Sequence, residues 1–78
     1  MCNITNYILA IRQSSSDEEF EVKRLESLTI LSDTLRNLRL IELELGDFLN
    51  QNENTSLRTA LDLRFYKVHL AIYLWTHL

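Results

Sequence analysis

The chain of 78 residues contains no proline, one glycine (Gly46) and one cysteine (Cys2), and each scarcity removes a class of protein. Sheet proteins need frequent tight turns, which glycine and proline supply, so this composition excludes an all-β fold and points to an all-α one. One cysteine cannot form a disulfide within the chain, which fits a reducing compartment. Cys-x-x-Cys, His-Glu-x-x-His and glycine-rich phosphate loops are all missing, so no common metal or nucleotide motif is available. The chain also lacks an apolar run of the roughly 20 residues a membrane span requires, because Arg64, Lys67 and His69 interrupt the best candidate. Its first residues carry no basic segment of the kind that opens a signal peptide. Asn3 and Asn54 match the glycosylation sequon, which without a secretory signal is read as coincidence.

The composition present is that of a small globular domain, with 46% apolar and 24% charged residues. A domain of this size has a single core, worth only about 3–5 kcal/mol net, so association often helps to stabilise it. The net charge of -3 and pI near 5.2 argue against a nucleic-acid binder, which needs a basic face to neutralise phosphates. Acids concentrate between residues 14 and 53, whereas Arg58, Arg64 and Lys67 outnumber Asp62 beyond residue 54. An acidic helix lying beside a basic one favours antiparallel docking.

Three segments follow from periodicity. Ile4, Tyr7, Ile8 and Ile11 fall at helical spacing, predicting a short helix over about 4–13 with Asn3 as its cap, with a strand as the alternative that the β-branched content leaves open. Ser14-Ser15-Ser16 breaks the chain, and Ser16 with Glu19 forms a capping box for the next helix. That helix is expected over about 17–49, either through Gly46 or ending there with Gly46 as its C-cap. Leu28, Leu31, Leu35, Leu38, Leu45 and Leu49 make a heptad-like seam in which Glu42 takes one apolar slot, with a Glu19–Lys23 pair in support. Ile30, Leu40, Ile41, Leu43 and Phe48 widen the apolar surface. Asn50–Asn54 is the loop, and Asn54 or Thr55 caps a final helix over about 55–77. The expected architecture is one domain, residues 1–78: an antiparallel helical hairpin whose long-helix overhang is covered by the short N-terminal helix.

The final helix has two apolar stripes. Leu57, Leu61, Phe65, Val68, Ile72 and Trp75 match the leucine seam and are expected to face inward. Ala60, Leu63, Leu70, Tyr73, Leu74 and Leu78 form the other, which a lone hairpin cannot bury. The expected protein interface is therefore Leu63, Tyr66, Leu70, Tyr73, Leu74 and Trp75, since large aromatics dominate contact hot spots. No catalytic, cofactor-binding or metal site is expected. His69 and His77 lie eight apart and do not share a metal-binding face, and Glu42 and Glu44 point in different directions on a helix. The function expected is non-enzymatic protein binding, through a protein partner, a homodimer or both.

From Leu25 to Trp75, the leucine seam, the polar Asn50–Asn54 loop and the run Leu70-Ala71-Ile72-Tyr73-Leu74-Trp75 resemble the small co-chaperones of bacterial type III secretion needle subunits. The resemblance is one of size and pattern, with no residue-by-residue motif, and Met1–Gln13 has no counterpart in it. It implies a cytoplasmic protein that joins a helical chaperone or secretion subunit through its final helix and prevents early needle polymerisation. The competing expectation is a phage or mobile-element regulator that acts as a homodimeric bundle or binds a host protein.

Overall fold

The computed structural model describes residues 4–51, 53 and 55–78, and among these every regular element is helical. In order they are α1 (Ile4–Ser14), α2 (Asp17–Glu44), α3 (Gly46–Leu49) and α4 (Thr55–His77). The expected caps Asn3 and Asn54 lie outside the described residues, as does Cys2. Helix α2 begins where the capping box places it: Ser16 has extended backbone and its hydroxyl accepts the Glu19 amide at 3.2 Å. Only the serine half of the box forms. Asp17, Glu18 and Glu19 occupy the first turn, where carboxylates oppose the positive helix end.

The long helix is shorter than the expected 17–49. It stops at Glu44, with Leu45 at φ -105°, ψ 12°, and Gly46 opens the one-turn α3 with no positive φ. Gly46 is therefore neither an interior residue of one continuous helix nor a left-handed C-cap. The break changes the seam. Leu45 turns outward, whereas Leu49 is buried with Leu38 and Leu61.

Helices α2 and α4 pack antiparallel. Arg24 Nη1 donates to the Thr76 carbonyl at 3.0 Å, and Arg58 Nη2 lies 2.9 Å from Glu42 Oε2. Those contacts are 18 positions apart on each helix, so one register holds along the hairpin. Glu42 thus occupies its leucine slot by pairing across the helices, and Arg58 also reaches Asp62 at 3.2 Å. Near the other end Arg24, not Lys23, makes the intrahelical pair, with Glu21.

Two apolar clusters sit at opposite ends of a rod measuring 49 × 23 × 15 Å. At the closed end Leu38, Leu49 and Leu61 are joined by Phe65 and Val68. At the open end Ile8 of α1 packs with Phe20 and Trp75, and Ile4, Ile11, Leu28, Leu31 and Leu74 surround them. Helix α1 therefore covers the overhang as expected. An Arg12–Asp17 ion pair at 2.6 Å spans the joint between α1 and α2.

Candidate partner-binding face

The inward face of α4 is set by Leu61, Phe65, Val68, Ile72 and Trp75, which are buried or half-buried. Leu57 belongs to the same stripe by spacing but stays exposed. On the opposite side, Thr59, Leu63, Tyr66, Leu70, Tyr73 and His77 follow one another at alternating spacings of four and three. That is the repeat by which one helix presents an apolar seam to another. Tyr66 is 63% exposed, Tyr73 58% and Leu63 50%, while Leu70 is half-buried between them.

The stripe is ordered at its C-terminal end. The Tyr73 and His77 rings stack with centroids 4.2 Å apart, and His77 Nδ1 lies 2.9 Å from the Tyr73 carbonyl oxygen. This stacking holds the Tyr73 ring along the helix, so less side-chain freedom remains to be lost on docking. Exposed Asp62 and His69 border the stripe on one side and Ala60 and Lys67 on the other. An apolar centre with a polar rim is the usual anatomy of a protein interface.

Two of the expected interface residues belong elsewhere. Trp75 is 4% exposed, with its ring centroid 5.7 Å from that of Phe20, so it anchors the core beneath α1. Leu74 is half-buried against the same cluster. The inward stripe already places Trp75 by its spacing, so its inclusion in the interface set is corrected to the core. Leu74 lies by spacing on the outer stripe and is drawn from it where α1 packs beside α4. Leu63, Tyr66, Leu70 and Tyr73 remain together on the outer face.

Helix α2 has exposed apolar residues as well. Leu25 and Ile30 flank a shallow groove with Glu26 and Thr29, and Leu40 and Leu43 line another with Arg36, Arg39, Glu42 and Gly46. Both grooves are open and mix apolar with charged walls, unlike the unbroken stripe on α4. Among the described residues no cluster of three or more His, Cys, Asp or Glu side chains could hold a metal ion, and no helix is long and apolar enough to cross a membrane. No known family model, characterised relative or solved structure matches this chain.

Proposed function

We propose that this chain is a non-enzymatic protein-binding module whose outer α4 face docks a helix of a partner protein. The observation that carries this reading is the row of exposed Leu63, Tyr66 and Tyr73 with half-buried Leu70 between them, an unbroken apolar stripe on a helix whose other face is committed to the core. Exposing such a row to water is unfavourable by roughly 25 cal/mol per Å² of apolar surface, which a docked helix would recover. The hairpin supplies a rigid support, since α4 is fixed along its length by the α2 register.

In its most specific form the module is a cytoplasmic adaptor like the co-chaperones of type III secretion needle subunits. Size, the hairpin and the apolar aromatic final helix support this form. A photo-crosslinking residue at position 66 or 73, introduced in the native host, tests the docking. One dominant adduct is expected at both positions and none at position 33 on the outer side of α2. Equal adducts at all three positions, or none anywhere, would overturn the reading. The adduct's identity then separates a secretion chaperone or subunit from a host factor of the kind a mobile-element regulator binds.

A further inference from the structure

We propose that, when no other partner is bound, two copies of this chain pair antiparallel through the outer face of α4, with Leu63 of each copy against Tyr66 of the other. The proposal rests on the reading of that face as a docking surface and names a second copy as its occupant. A two-fold interface uses the same patch twice, so residue i meets j while j meets i, and a stripe that self-pairs must match its own reversal. The stripe meets this condition. Thr59, Leu63, Tyr66 and Leu70 are spaced four, three and four, a series identical when read backwards, and the stripe continues at the same spacings to Tyr73 and His77.

Three reversed alignments keep the stripe in register. Setting Leu70 opposite Tyr73 overlaps only the last turns of α4, beside the cluster that α1 covers, and the bordering side chains choose between the other two. Setting Leu63 opposite Tyr73 brings Lys67 beside Lys67 and His69 beside His69 of the second copy. Setting Leu63 opposite Tyr66 instead brings Asp62 beside His69 twice and Lys67 beside Ala60. It also pairs Leu70 with Thr59 and Tyr73 with Ser56, so no tyrosine ring meets another. Lys67 facing Lys67 is unfavourable, whereas the Asp62 carboxylate can accept a hydrogen bond from the His69 imidazole. The alignment of Leu63 with Tyr66 therefore prevails, and it centres the contact between Arg64 and Phe65, away from α1.

The outer face of α2 does not compete for this role. Its line from Val22 and Leu25 to Leu40 and Leu43 passes through Thr29, Ser32 and Arg36, with Glu26 and Asp33 close by. Two such acidic helices would repel each other.

Light scattering on the isolated chain is expected to show a dimer that Leu63→Glu or Tyr66→Glu converts to folded monomers. In a Cys2→Ser background, a Leu63→Cys chain mixed with a Tyr66→Cys chain should form a disulfide-linked pair on mild oxidation, and a mixture of Leu63→Cys with Tyr73→Cys should not. His69→Glu should weaken the dimer roughly tenfold, as two exposed Asp62–His69 contacts become like-charged carboxylate pairs; adding Asp62→Lys to the same chain should restore it. A strictly monomeric chain, or cross-linking of 63 to 73 in place of 66, overturns the proposal. A monomer that still gives a foreign adduct at positions 66 and 73 overturns self-pairing alone. A dimer indifferent to Leu63→Glu and Tyr66→Glu, with no adduct at 66 or 73, overturns both readings.

Discussion

Phe20 shows how much of the fold converges on single side chains. Its ring packs against Trp75 and Ile8, and the guanidinium carbons of Arg12 and Arg24 stand 4.9 and 5.1 Å from its centroid. Arg24 has two further roles: Nη1 closes a free carbonyl in the last turn of α4, and Nε lies 3.4 Å from the Glu21 carboxylate. That Nε is buried without an aligned hydrogen bond, so the arginine is held by packing and charge together. Phe20→Leu, which nearly conserves volume, should cost about 1–2 kcal/mol, because the aromatic and both cationic contacts are lost. Chemical denaturation monitored by circular dichroism measures this, and a cost near zero would show that the ring serves only as volume. Ser16→Ala should lower stability by about 1 kcal/mol through loss of the helix cap. It should leave association unchanged, since Ser16 is far from the outer face of α4; altered association at equal stability would contradict that separation.

At the level of elements, hydrophobic spacing made the three main helices readable because each carries a face that must be buried. The α1 and α4 boundaries expected from sequence, about 4–13 and 55–77, agree closely with Ile4–Ser14 and Thr55–His77. A helix end at Gly46 is one of the two readings the sequence leaves open, but the stop at Leu45 and the restart as α3 are not readable, because the seam continues through them and only the backbone turn sends Leu45 outward and Leu49 inward. Spacing places Trp75 on the inward stripe, where it is buried, but not Leu74 against the same cluster, because which side of α4 receives α1 depends on packing between elements. Gly46 sits at the break with open space around the position of a Cβ and no positive φ. Gly46→Ala should therefore stabilise the chain by about 0.4–1 kcal/mol, mainly by restricting the unfolded ensemble. Glu42→Leu offers a companion test of the seam. The cross-helix pair with Arg58 is half-exposed and worth about 0.2–1 kcal/mol, Arg58 keeps Asp62, and a leucine there would bury more apolar surface. A modest rise in melting temperature is expected, and a clear fall would show that the ion pair, not apolar contact, holds this part of the hairpin.

On the scale of the whole molecule, two small clusters at opposite ends of a thin rod must offset the ordering of the four helices α1 to α4. Each cluster depends on a short element, α1 at one end and α3 at the other. A chain built this way has little stability to spare, because a core of this size contributes only about 3–5 kcal/mol net. A second copy on the outer face of α4 adds apolar burial on the side of that helix opposite Leu61 and Phe65, behind the closed-end cluster. It binds the folded chain and not the unfolded one, so mass action should raise the melting temperature as protein concentration rises. Tyr66→Glu should remove that dependence and lower the melting temperature towards that of the dilute wild-type chain. Tyr7→Glu, at an exposed position of α1 that is not part of the α4 stripe, should leave the dependence intact. Thermal scans over a wide concentration range measure all three. A wild-type melting temperature that does not move with concentration would mean that the two end clusters stabilise the rod alone and that the exposed stripe contributes nothing to the stability of the isolated fold.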